Sequence, residues 1–233
     1  MKFSDHVIEV TSEQYRREMG HHPAFAALKE GRLRRESYVA YLRETYHLVR
    51  HTTSVLARAA SYLPDAQRAL RGWFIEQAID EHNHDLLCMK DLEALGEVPH
   101  EVLSRPPGLG AWSLISQRYH LAQSDPVSLL GYMLTTEGIG ATFAATAADV
   151  LTSGLYGYQS NQVTFLRAHG NFDIKHAEEV KKMMDELAED ARTRDAVLAV
   201  RRFSITYYAR MLKDALDVSS ADRTGPAIGS LGT

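Results

Sequence analysis

The chain has 233 residues, 45% of them hydrophobic and 24% charged, enough for one domain with a substantial apolar core. Its formal net charge of −4 argues against a nucleic-acid binder, which carries a basic excess or patch. The single cysteine, Cys88, excludes an intrachain disulfide and fits a reducing, cytoplasmic setting; the polar residues 1–14 contain no signal-peptide core.

Apolar residues recur with a helical period along most of the chain, and no strong strand-like alternation is present. A short helix is predicted over 12–19, broken by His21-His22-Pro23, and Pro23 opens a second that ends near Gly31. The next helix covers 36–62 and is closed by Leu63-Pro64. Asp65 is a suitable N-cap for a helix reaching about residue 95, with Gly96 as its stop. Residues 99–110 form a loop-rich connection, and 111–123 are helical. Asp125-Pro126 opens an apolar helix that ends near Gly154, and Glu137 is the only charge between 126 and 148. That length would cross a bilayer, but a lone carboxylate at its middle is costly in lipid, so it reads as a buried core helix. Two helical stretches, 159–169 and 172–189, are separated by Gly170-Asn171, where the chain is expected to loosen. A last long helix covers 193–216. The expectation is an all-α bundle over 1–217 followed by a disordered, Ser-, Gly- and Ala-rich tail over 218–233.

Four features of these helices carry chemistry. His169, Asp173 and His176 are spaced i, i+4, i+7, which places an imidazole, a carboxylate and an imidazole within roughly 60° on one helix face. The same spacing also fits a solvated polar face. Glu81 and His84 are i, i+3 neighbours within reach of one ion, with Glu76 a rival ligand on the same helix. Glu137 in its apolar helix must be paired with a cation or bind a metal. Glu44 and His47 form a second Glu-x-x-His, which either completes the site or belongs to the core. Inward side chains from facing helices of a bundle converge on one centre. Three imidazoles and three carboxylates, without a thiolate, suit two first-row metal ions better than a closed structural zinc or an iron–sulfur cluster.

This pattern resembles the haem-oxygenase-like diiron oxidases: His169-x3-Asp173-x2-His176, Glu137 on an apolar helix upstream, and a Glu/His helix before that. The opening from His22 to Gly31, followed by Tyr41, Leu42 and Tyr46, is similar to the wider superfamily of TenA (thiaminase-II) proteins and pyrroloquinoline-quinone synthase. The resemblance implies a haem-free bundle of about seven to eight helices. It implies two iron ions (manganese being the alternative), dioxygen as co-substrate, and homodimers. It also implies oxidation of a small metabolite, by N-oxygenation, oxidative decarboxylation or C–C cleavage of an amine, amino acid or fatty acid. Glu137, His169, Asp173 and His176 match the family pattern closely, and Glu81 and His84 match its Glu-x-x-His variant. A further glutamate that some members take from the preceding helix is replaced here by Glu44 or His47. A thiaminase would carry its cysteine where this chain has Glu137. A ferritin-like metal protein and a non-redox, TenA-like hydrolase or cofactor-free oxidase are the alternatives. On the last helix, Tyr207, Tyr208 and Arg201 are candidates for lining a substrate pocket, with Arg201 able to anchor a carboxylate.

Overall fold

A computed structural model describes residues 1–187 and 190–218, and among these every regular element is helical. The expected tail beyond residue 218 lies outside the described residues. The elements are α1 (Phe3–Tyr15), α2 (Pro23–Lys29), α3 (Arg35–Val49), α4 (Thr52–Tyr62), α5 (Arg68–Asp80), α6 (Asp85–Ala94), α7 (Pro99–Leu103), α8 (Leu109–Ser124), α9 (Leu129–Ile139), α10 (Ala145–Thr152), α11 (Thr164–Leu187) and α12 (Ala191–Leu216). No described helix is long and apolar enough to cross a membrane.

Several boundaries differ from those expected. The first helix begins at Phe3 because Phe3, Val7 and Thr11 are buried one turn apart. The stretch 36–62 is two helices, with the break at Arg50 and His51. The stretch 65–95 is also two, divided by a turn over 81–84 in which Asn83 takes a left-handed φ of 69°. Asp65 sits in a short 3-10 turn and makes no capping bond. The loop-rich connection contains α7.

The opposite correction applies at Gly170-Asn171, where α11 runs through without interruption. Gly170 is there for close approach: a Cβ on it would lie 2.8 Å from the backbone nitrogen of Ala145 on α10. The start of α11 is fixed by Asp91 of α6, which is fully buried. Its carboxylate accepts from the backbone N–H groups of Thr164 at 2.8 Å and Phe165 at 3.0 Å, and from the Thr164 hydroxyl at 2.5 Å. Two of the first-turn donors that a helix leaves unpaired are thereby satisfied from another helix.

The core has two main apolar clusters, and α11 contributes to both. Phe165 and Leu166 join Tyr38, Leu42, Cys88, Leu92, Ala148 and Leu151 in one. Val180, Met183 and Met184 join residues of α1, α4, α5, α8, α9 and α12 in the other. The polar stretch from His169 to His176 therefore lies between two anchored ends of one helix. Helix α9 is treated similarly: Leu129 to Leu134 pack in the second cluster, and one turn of π-helix, Gly140–Ala144, carries the chain into α10 and the first. Such π turns are rare and frequent at functional sites.

Gly→Ala in an exposed helix stabilises by about 0.5–1 kcal/mol. At Gly170 the new methyl group meets backbone instead of solvent, so the clash outweighs that gain. Gly170→Ala is expected to lower stability by about 1–3 kcal/mol, read as a reduced denaturation midpoint with an unchanged slope.

Candidate metal centre

Five of the six residues expected as principal ligands form two groups that share one member. Glu81, His84 and His169 make the first, and Glu81, Glu137 and His176 the second; within each group the ligand atoms lie within 4.8 Å of one another. Glu81 Oε2 is 3.1 Å from His84 Nδ1, and Glu81 Oε1 is 3.6 Å from His176 Nδ1. The same His176 nitrogen is 3.5 Å from Glu137 Oε2. The sixth residue, Asp173, lies on α11 between the two histidines and is 4% exposed.

Local structure explains how these side chains meet. Glu81 and His84 stand in the turn between α5 and α6. The left-handed Asn83 bends the chain there, so both groups face α11. The His169 Nδ1–H donates to the Phe165 carbonyl at 3.0 Å, which leaves the Nε2 lone pair for a ligand. Phe165 stacks on the His169 ring at 4.0 Å and Phe172 on the His84 ring at 5.9 Å, restricting both imidazoles. Gly140, at the first position of the π turn, makes room for Asp173: a Cβ there would sit 1.5 Å from the Asp173 Oδ2.

The electrostatics of the cluster are unresolved by its own side chains. Burial pushes the Glu137 carboxyl up, and burial followed by Glu137 and Glu81 pushes Asp173 up to about 10. Burial also raises Glu81, but His84, His169 and His176 outweigh it and hold Glu81 below the usual carboxylate range. Glu137 draws His176 up and Glu81 draws His84 up, while burial lowers His169. His84 Nδ1, His176 Nδ1 and Asp173 Oδ1 are buried without an aligned hydrogen-bond partner. Buried polar atoms are rarely left so, and the donor set of imidazole nitrogens and carboxylate oxygens is one that first-row divalent ions take. The residues fit a pair of such ions.

The remaining candidates are placed elsewhere. Glu44 is fully buried, paired with Arg43 at 2.7 Å, and accepts from the Gly108 N–H at 2.7 Å. His47 Nε2 meets the Arg105 carbonyl at 2.9 Å. Both residues face the α7–α8 segment, whereas Tyr38, Tyr41, Thr45 and Leu48 are among the α3 residues that line the cavity beside the cluster. Glu76 is exposed. Arg201 is buried, donates to Thr11 at 2.9 Å and lies over the Tyr15 ring, away from the cavity. Tyr208 does line the cavity, while Tyr207 stacks on Phe203 at 4.3 Å.

That cavity, of about 170 Å3, is bounded mainly by apolar side chains and opens onto Glu81, Glu137, His169 and Asp173. Tyr38, Tyr41 and Tyr132 line it with Tyr208. Sequence reasoning did not single out Arg118, Tyr132 or Gly140. Only Arg118 left a signal, as a charge in register with the apolar Ala111, Leu114 and Ala122 of α8.

Comparison with known proteins places this geometry in context. Residues 39–208 match the sequence family described as iron-containing redox enzymes. A domain of unknown function with a haem-oxygenase-like fold from Shewanella denitrificans OS217 is 25% identical, with a TM-score of 0.80 over 89% of both chains. A TenA homologue from Pseudomonas syringae pv. tomato DC3000 is 14% identical, with a TM-score of 0.78 over 93% of both chains. A TenA homologue from P. horikoshii OT3 is 18% identical, with a TM-score of 0.75 over 93% of this chain and 99% of its own. No curated protein matches the sequence.

Without a cation, a third carboxylate in this cluster destabilises the fold. The Asp173 carboxyl, pushed up to about 10, must be held protonated at a pH where the unfolded chain ionises it, so Asp173→Asn is expected to stabilise the chelator-treated protein at neutral pH by about 1–4 kcal/mol. Urea unfolding of the two proteins checks it; a less stable variant would mean that Asp173 is fully satisfied without metal.

Proposed function

The chain belongs to the iron-containing redox enzyme family, and from that premise we propose that it is a non-haem diiron oxidase or oxygenase of a small metabolite, with dioxygen as co-substrate. Glu81, His84, Glu137, His169, Asp173 and His176 hold the two metals. The observation that carries this reading is the sharing of Glu81 between two three-residue ligand groups. A mononuclear site has no use for a second group, whereas a carboxylate common to both is how bundle proteins join two ions.

When bound, Fe(II) supplies the electrons and open coordination positions that activate dioxygen. The chain supplies the rest. Phe165 and Phe172 hold the two imidazoles in place, and the Phe165 carbonyl fixes the tautomer of His169. Gly140 admits the Asp173 carboxylate to the second group's side of the centre. The apolar cavity keeps water from the reacting edge and receives the substrate. The Tyr41 and Tyr208 hydroxyls, both pushed well up by burial, stay protonated there and can only donate or accept hydrogen bonds.

A non-redox, TenA-like reading draws support from the folds of the two TenA homologues. A thiol nucleophile has no place in it. Cys88 is fully buried in the α3–α6–α10 cluster, and burial, followed by Asp91 and Asp85, holds its thiol protonated.

Anaerobic titration of metal-free protein with Fe(II) separates the two readings. The diiron reading expects about two ions per chain and a transient visible band on mixing with oxygen. His169→Ala and Asp173→Ala should each weaken binding at least tenfold. Iron uptake that is absent, or unchanged in both variants, rejects it in favour of the non-redox reading.

A further inference from the structure

Arg118 of α8 is 1% exposed and lines the cavity that also reaches Glu81, Glu137, His169 and Asp173. Removing a guanidinium from water costs several kcal/mol unless an anion compensates. Its contacts among the described residues are neutral. One terminal nitrogen donates to the Leu48 carbonyl at 2.6 Å, and the other to the Thr52 hydroxyl at 3.3 Å. The guanidinium carbon lies 4.9 Å from the centre of the Tyr132 ring. The Nε finds no acceptor.

A structural role explains part of this. Leu48 is in the last turn of α3, and a cation there satisfies a terminal carbonyl. That accounts for one nitrogen. It accounts neither for the unpaired Nε nor for the presence of a buried charge on the wall of a mainly apolar cavity. No anion comes from the side of His51, whose imidazole is held down by burial first and then by Arg118 and Arg50. Glu81 and Glu137 are on the cavity wall as well, but neither makes an ion pair with Arg118 among the described contacts, and the side chain that Arg118 packs on is Tyr132.

We propose that Arg118 is the anchor for a carboxylate on the substrate. A small monocarboxylate pairs with the guanidinium at one end of the cavity, runs past Tyr132, and presents its far end to Glu137 and Asp173. A carboxylate suits the planar guanidinium fork. It also matches the single charge, which a phosphate dianion would not. The second half of this inference rests on the proposed diiron function; the anchor itself does not. With the carboxylate on Arg118, oxidation falls on the end of the substrate presented to Glu137 and Asp173.

The test uses the full chain, first metal-free, with straight-chain carboxylates from butanoate to dodecanoate and their primary amides as probes. Calorimetry is expected to show the best-fitting carboxylate binding at least tenfold more tightly than its amide. Arg118→Gln should abolish that preference, and Thr52→Val, which removes only a neutral contact, should keep it. No preference in the parent protein, or one that survives Arg118→Gln, overturns the proposal. Should Arg118→Gln not fold, the parent protein still decides: the 15N-edited Nε–H resonance of Arg118, assigned by its loss in Arg118→Lys, must shift with the carboxylate and not with the amide. The titration is then repeated with Fe(II) under anaerobic conditions. Carboxylate binding that appears only with iron places the group on the metal and overturns the anchor. A chain that takes up no iron but keeps the preference overturns the diiron reading alone.

Discussion

Three carboxylates and three imidazoles lie together between two apolar clusters, and their mutual compensation is incomplete. Like charges this close in a poorly solvated site cannot all ionise: burial first, and then Glu137 and Glu81, push the Asp173 carboxyl up to about 10. Hydrogen bonds do not resolve the conflict, since His84 Nδ1 and His176 Nδ1 meet carboxylates without an aligned hydrogen bond and Asp173 Oδ1 has none. Two divalent cations would resolve it at once: they remove the repulsion and occupy the free lone pairs. The surrounding architecture amounts to a means of holding this unfavourable constellation in place.

The rigidity for that purpose comes from α11. Asp91 ties its first turn to α6, and each end packs in a different cluster. His169, Asp173 and His176 lie between those ends on one uninterrupted helix, which fixes their spacing. Gly170 and Gly140 perform complementary tasks around it. The first lets α10 approach the helix backbone, and the second lets a side chain of α11 enter the space beside α9. Both glycines serve proximity, not flexibility. The π turn that begins at Gly140 then redirects the chain after Glu137 has been delivered.

Much of this was legible in the sequence. The isolation of Glu137 in an apolar run is a strong signal, because a buried carboxylate needs a cation of some kind, whereas the spacing of His169, Asp173 and His176 also fits a solvated face and gains weight only beside Glu137 and Glu81. The Glu81–His84 turn was not visible: it contains neither glycine nor proline, and its left-handed residue is Asn83. The break at Arg50 and His51 is hidden for the same reason. That second break bears on the fate of Glu44 and His47. Their spacing resembles that of Glu81 and His84, but on α3 it selects the face towards Arg105 and Gly108. Spacing fixes which residues share a face, and only packing fixes what the face meets. Gly170 misled for a related reason, since a helical glycine marks either a weak point or a close contact, and sequence alone does not separate them.

The two buried arginines show the same limit from the other side. Arg201 was a candidate carboxylate anchor and Arg118 was not. Yet Arg201 sits among Thr11, Thr135 and the Tyr15 ring, and burial draws its pKa down to about 10. It is a packed structural cation between α1, α9 and α12, with no opening towards the cavity. Arg118 has a similar degree of burial and a comparable set of neutral partners, but it lines the cavity that reaches Glu81, Glu137, His169 and Asp173. The difference between a structural and a recognition arginine thus lies neither in residue type nor in burial. It lies in the combination that Arg118 alone shows, a buried Nε without an acceptor on a side chain that lines a cavity an anion can enter.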